Sequence, residues 1–347
     1  MNKSAQQRPN SGRPQRASRG VTMAEVGRIA GVTQVTVSRA LSDPSKVSAE
    51  TLARIHRAIE ATGFVPNALA GSLASQKSML VSAIVPSMTN IIYTSVIKEF
   101  ASAMRDSGYE VLLSECGFAP QDEEAMIARH LSRRPDAILL TGINHTSQAR
   151  RMLLAAGVPV LEIWDLTPSP IDICVGFSHQ DAGRAVAEFC IDAGYKAPAC
   201  VTASDERALR RHTVFAAAVE SRLKVNVPVI TLQEQASIAG GRAGLRDLLD
   251  QPSSKPDLVF CSSDLLAQGV QLEAQVRGLT VPQDLAVIGF GDQDFAKDLV
   301  PPLTSVQVDR AEMGKRAAQE LLLRFGQRDM QSHAVDVGFK IVRRQSA

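Results

Sequence analysis

The stretch Val21–Leu41, VTMAEVGRIAGVTQVTVSRAL, sets side chains suited to a polyanion in a short helical frame. Thr22 can cap a first helix, with Glu25 three residues on as its capping-box partner. Val26, Ile29 and Ala30 fall on one face of that helix, Gly31 allows a tight turn, and Val32 follows as a buried anchor. Thr33 caps a second helix, whose inward face is Val37, Ala40 and Leu41. Gln34, Val35, Thr36, Ser38 and Arg39 are left for its first turns and outward surfaces. Two helices joined by a short glycine turn, the second offering its N-terminal side chains, suit a DNA major groove. Arg matches guanine O6 and N7, Gln matches adenine, and Val can touch a thymine methyl.

A third amphipathic helix opens at Ser48, carries Leu52, Ile55 and Ile59, and ends at Gly63. Three such helices can bury one small core. Charge supports the same partner. Residues 1–76 hold ten Lys/Arg against four Asp/Glu, whereas the remainder holds 28 against 32. A basic head on a mildly acidic body is expected to meet nucleic acid. Residues 1–20 carry five Lys/Arg, no acid and no apolar core of a signal peptide, so they read as a disordered basic arm. Residues 66–77, PNALAGSLASQK, suit a linker or marginal helix.

From Met79 the texture changes to short apolar runs alternating with amphipathic segments, the pattern of a parallel sheet. Candidate strands are Leu80–Val85, Glu110–Leu113, Ala137–Leu140, Pro159–Ile163, Ile173–Phe177, Ala199–Thr202, Leu258–Cys261 and Ala286–Phe290. Helices are expected at Ile91–Asp106, Glu123–Arg133, Asp181–Ala193, Arg207–Glu220 and Leu265–Arg277. Gly108, Gly157, Gly194 and Gly278 stand where helices should stop. A 347-residue chain with this much βαβ pattern calls for two α/β lobes. Aromatics are 4%, so the core must rest on Ala, Val, Leu and Ile. No apolar run reaches a membrane span, and the five cysteines follow no metal or disulfide spacing, so a cytoplasmic location is expected.

The motifs V-x-x-x-A-G-V-T-x-x-T-V-S-R-x-L, V-S-x-x-T-x-x-x-I and G-F-x-P-N-x-x-A-x-x-L occupy residues 21–75 without a gap. They resemble the head and hinge of the LacI/GalR family of transcriptional regulators. The resemblance places Gln34, Val35 and Arg39 at base-reading positions, and Thr22, Thr33, Ser38, Lys46 and Asn67 at phosphate contacts that set register. It places Leu73 at a lever that wedges into the minor groove. A segment as short as residues 67–75 should fold only on DNA.

The resemblance continues to the C-terminus. It implies an α/β fold class: an N-terminal all-α helix-turn-helix head plus a two-lobed periplasmic-binding-protein-like α/β body. The expected organisation is an arm at 1–20, a head at 21–65, a hinge at 66–77 and a body at 78–347. Lobe one would span about 78–177 plus 308–335, and lobe two about 178–307 plus 336–347. Ligands of open α/β sheets sit beyond the carboxyl ends of the strands. Polar residues there include Ser87, Asn90, Asn144, Asp165, Arg207, Asp264 and Asp292, which become effector-binding candidates. For Asp264, a helix cap is an equal alternative. Arg207 is the sharpest, since a guanidinium fork suits a carboxylate or paired hydroxyls, although Asp205 or Glu206 could hold it instead.

Many sugar-responsive members carry Asp directly after G-[YF] at the late strand. Here the stretch is Gly289-Phe290-Gly291-Asp292, which argues against a neutral-sugar mode. The motifs L-E-x-x-D at 161–165, D-I-x-V-G-F at 172–177, D-E-R at 205–207, R-x-x-M-G at 310–314 and D-x-G-F at 336–339 look closer to the gluconate-operon repressor branch. The implied partners are a pseudo-palindromic double-stranded operator, a sugar or sugar-acid effector such as gluconate, and a second copy of the chain in a homodimer. No cofactor, metal site or membrane contact is expected. The sequence lacks G-x-x-x-x-G-K-[ST], H-E-x-x-H and G-x-S-x-G, so an enzyme is not expected. A soluble sugar-acid-binding protein, or an enzyme with an accessory DNA-binding head, is the alternative.

Overall fold

The computed structural model describes residues 20–66, 77–251, 255–326 and 333–347. The chain divides into two compact units, Met1–Ser78 and Met79–Ala347. Arm residues 1–19, Asn67 and Leu73 lie outside the described residues.

Among the described residues, the first unit holds three α-helices: α1 (Met23–Ala30), α2 (Gln34–Ser42) and α3 (Ala49–Thr62). Each begins at a hydroxyl cap. Thr22 accepts from the Glu25 amide at 3.3 Å, Thr33 from Thr36 and Ser48 from Thr51, both at 3.2 Å. Each cap satisfies an amide that the helix leaves unpaired and contributes about 1 kcal/mol. Only half of the expected capping box forms, because the Glu25 carboxylate turns to Arg28 at 3.2 Å. Gly31, at φ 67°, ends α1 in the left-handed conformation that glycine adopts without a Cβ clash. Val26, Ala30, Val37, Ala40, Ile55, Ala58 and Phe64 form the core. Ile29, expected inside, is 47% exposed. It lies at the edge of the apolar stripe, beside a shallow groove shared with Arg54, Arg57 and Ala58. Val32 is half-buried against the core.

The second unit contains two sheets. In lobe one the order is β11-β5-β4-β3-β1-β2, all parallel, formed by β1 (Leu80–Val85), β2 (Glu110–Glu115), β3 (Ala137–Thr141), β4 (Val160–Ile163), β5 (Ile173–Gly176) and β11 (Ala334–Asp336). In lobe two the order is β12-β10-β9-β8-β6-β7, with β6 (Pro198–Ala203), β7 (Val229–Leu232), β8 (Leu258–Cys261), β9 (Ala286–Phe290), β10 (Thr304–Gln307) and β12 (Lys340–Val342). Here only β12 runs antiparallel, against β10. The chain therefore passes between the sheets after β5, after β10 and after β11.

The helices of this unit are α4 (Ile91–Asp106), α5 (Pro120–Leu131), α6 (Ser147–Ala156), α7 (His179–Asp192), α8 (Glu206–Leu223), α9 (Ile238–Leu249), α10 (Asp264–Val276) and α11 (Arg310–Phe325). Strand alternation sends side chains to both sheet faces. Ala137 and Leu139 join one cluster with Phe100 and Met104 of α4, while Ile138 and Leu140 join another with Ile127 and Leu153. Burial on both faces explains why the strands read as continuous apolar runs. The helix-stop glycines 108, 157, 194 and 278 all take positive φ, from 66° to 89°. In each sheet the order reverses beside the first strand, between β1 and β3 and between β6 and β8. Such switch points open a crevice at the carboxyl ends of the strands.

Candidate functional site

On the head, α2 turns Val37 and Ala40 inward. The same 3.6-residue period leaves Gln34, Val35, Ser38 and Arg39 exposed, Val35 at 64%. Exposing a valine to that extent gains nothing for folding, so its methyls are available to a partner. Thr33 and Thr36 join hydroxyls at 2.9 Å at the N-terminus of the helix, whose unpaired amides favour phosphate. Thr22 is exposed at the start of α1. Lys46 is exposed and pairs with Asp43 at 3.1 Å.

In the second unit, Asp165 and Arg207 both lie where the lobes touch. Asp165 follows β4 and is 2% exposed. Arg210 of α8 crosses from lobe two and grips both its oxygens, Nη1 to Oδ1 at 2.8 Å and Nη2 to Oδ2 at 2.7 Å. Burial raises the Asp165 carboxyl above its ordinary range, against the opposing pull of Arg210. Arg207, one turn earlier on α8, donates from Nη2 to the Tyr93 hydroxyl of lobe one at 2.9 Å. Its Nη1 is buried without an acceptor among the described residues and lies against Gly142, where an added Cβ would come within 3.5 Å. Burial alone would lower the Arg207 pKa, but Tyr93, Asp205, Asp165 and Glu206 outweigh it and raise the value. Asp205 caps α8 through the Ala208 amide at 3.0 Å, and Glu206 lies 3.8 Å from Arg210, so neither takes Arg207.

Three further residues complete this cluster. Arg211 is 5% exposed, stacks its guanidinium on the Phe290 ring at 3.8 Å, and donates to the Ser262 carbonyl at 3.1 Å. Burial pulls its pKa down to about 10. Trp164 packs edge-on to Tyr93 at 6.0 Å, and its Nε1 is buried without an acceptor among the described residues. His179 touches both Trp164 and Arg211. Arg210 and Arg211 adjoin the D-E-R motif but had no distinguishing spacing, and Trp164 had no signal beyond being the single tryptophan.

The remaining candidates divide. Asn90 caps α4, accepting from the Ile92 amide at 3.2 Å, and Ser87 braces the same turn through the Asn90 amide at 3.3 Å. Asn144 is exposed on the loop after β3. Asp264 is fully buried at the start of α10 and accepts from Ser305 Oγ and from the Gln293 amide, both at 2.6 Å. Burial pushes its pKa up to about 6. Asp292 accepts from Arg344 and from Gln307 Nε2, both at 2.6 Å. The carboxylates of Asp165, Asp264 and Asp292 thus each accept from protein donors. Gly291 carries no acid next to Phe290 and sits at φ 119°, a conformation open mainly to glycine.

Residues 22–67 match the family described as bacterial regulatory proteins, lacI family, and residues 187–347 match a periplasmic binding protein-like domain. The HTH-type transcriptional regulator GntR of Pseudomonas aeruginosa is 35% identical over 94% of this chain and 95% of its own length. The chain belongs to the LacI family. Within that family it is also 32% identical to the HTH-type transcriptional regulator GntR of Escherichia coli K12, over 90% of this chain and 94% of the relative. A solved LacI-family transcriptional regulator from Silicibacter pomeroyi superposes with a TM-score of 0.88 at 29% identity, covering 94% of this chain and 99% of that one. The head is thus the DNA-binding domain of a LacI-family transcriptional regulator, and the body has the periplasmic-binding-like fold.

Proposed function

We propose that this LacI-family regulator represses sugar-acid catabolism genes and answers to a small anionic effector, such as gluconate, held between the two lobes. Charge in the crevice carries the reading. Asp165 is already matched by Arg210, whereas Arg207 and Arg211 have no carboxylate partner among the described residues. Arg207 Nη1 and Trp164 Nε1 are buried donors without acceptors among the described residues. Leaving a buried donor unmatched costs about 1–3 kcal/mol, which a carboxylate or hydroxyl acceptor would recover. The glycine at 291 also removes an acid that would repel such a ligand. Ser87, Asn90 and Asn144 flank this region as secondary contacts.

Gln34, Val35 and Arg39 read bases, while Thr22, Thr33, Ser38, Lys46 and Asn67 hold phosphates. Leu73 acts as the minor-groove lever. The protein works in the cytoplasm as a homodimer on a pseudo-palindromic operator and binds rather than transforms its effector. Coupling between effector and operator must then be reciprocal. Titration calorimetry with gluconate, with operator affinity measured in parallel, tests the proposal. Heat of binding and a changed operator Kd are expected. No heat and an unaltered Kd would refute the effector assignment and leave the DNA-binding role intact.

A further inference from the structure

His179 sits at the first passage between the lobes. It opens α7 immediately after the Ser178 cap and is 3% exposed. Its Nε2 lies 2.8 Å from the Trp164 carbonyl oxygen of lobe one. Its Nδ1 lies 2.8 Å from Arg211 Nη1 of lobe two. A carbonyl oxygen can only accept and a guanidinium can only donate. The imidazole must therefore donate from Nε2 and accept at Nδ1, which specifies one neutral tautomer. A second proton on the ring would point Nδ1–H at the guanidinium. Burial, aided by Arg211, Arg207 and Arg210, keeps the ring well below the ordinary histidine range, against the weaker opposing effect of the Trp164 carbonyl. Phe177 and Phe290 enclose it at 4.4 and 6.2 Å.

Both partners of this ring directly neighbour the Asp165–Arg210 pair in sequence. Trp164 holds φ 74°, a left-handed conformation uncommon for a bulky residue, and its indole packs on Tyr93. Anchoring its carbonyl to His179 helps to hold that turn. Arg211 is tied on one side to the Ser262 carbonyl and the Phe290 ring, and on the other to His179. We propose that His179 is a positioning residue of the effector response. It keeps Trp164 of one lobe in register with Arg211 of the other, so that crevice occupancy and lobe arrangement change together. This inference rests on the reading that the crevice takes the effector.

The test uses the full-length chain and its single tryptophan. Long-range 1H–15N NMR at pH 7 should show one histidine in the Nε2–H neutral form. His179→Leu should shift the emission of ligand-free Trp164 and cut the gluconate-dependent change in operator affinity by about tenfold. His179→Gln, whose amide supplies both a donor group and an acceptor, should preserve both. A leucine variant with native emission and undiminished coupling would overturn the proposal. So would a charged or Nδ1–H ring in the wild type, a result that does not depend on any variant folding. Should gluconate leave wild-type operator binding unchanged, the effector assignment fails, while emission and tautomer still decide the role of His179.

Discussion

Arg210 and Asp165 join lobe two to lobe one through two parallel hydrogen bonds of 2.8 and 2.7 Å. The carboxylate is buried and the guanidinium largely so. The value of such a pair shows most clearly when one partner is removed, because the other charge is then stranded. Arg210→Met should destabilise the protein by about 3–5 kcal/mol in urea unfolding. Arg210→Met combined with Asp165→Leu should recover most of that loss. An additive pair of losses would mean that the two side chains act independently.

A different contact sets the spacing of α7 and α8. A Cβ on Gly183 would meet the Arg211 carbonyl oxygen at 2.2 Å, a backbone atom that cannot rotate away. Gly183→Ala should therefore push the helices apart and cost roughly 1–3 kcal/mol. It should also weaken the gluconate binding proposed above, because Arg211 moves with its backbone. The urea midpoint and calorimetric Kd should fall and rise together.

Stability should depend on alkaline pH through His145. Its ring lies between Glu123 at 2.8 Å and Glu162 at 3.4 Å, with all three side chains buried or nearly so. Burial opposes its charge, but the hydrogen bond to Glu123 and the attraction of the two carboxylates outweigh it and raise its pKa to about 9. A pKa raised on folding stabilises fully below the unfolded value of 6.5 and is lost as pH climbs through about 9. The unfolding free energy should drop by on the order of 3 kcal/mol between these limits. His145→Gln should flatten that slope.

On the head, Arg39→Ala should cost about 1–3 kcal/mol of discrimination at a single base position, measured by competition between operator variants at fixed salt. An equal loss on every sequence would instead assign Arg39 to phosphate.

Local chemistry made much of this architecture legible. Thr33, Gly31 and Ser48 announce helix ends, and runs such as Ala137–Leu140 announce strands buried on both faces. Other elements lack a local signal. β7 is a half-buried edge strand following Pro228, and β11 and β12 are three residues long. Helix α9 carries Gly240, Gly241 and Gly244, which weaken its helical signature. The reason lies in α10, whose Leu266 carbonyl would sit 2.1 Å from a Cβ at Gly241. The crevice is similar. Arg207 stood out beside an acidic pair, but Arg210 and Arg211 gain meaning only from Asp165 and His179, 45 and 32 positions away. Likewise the pairing of Asp292 with Arg344 spans 52 positions and has no local signal.

The backbone angle at Gly291 limits how this crevice can be altered. Any L-residue placed there, an acid included, is forced into a disfavoured geometry. A side chain beside Phe290 therefore requires the turn to be rebuilt over several positions, which no single-nucleotide mutation achieves.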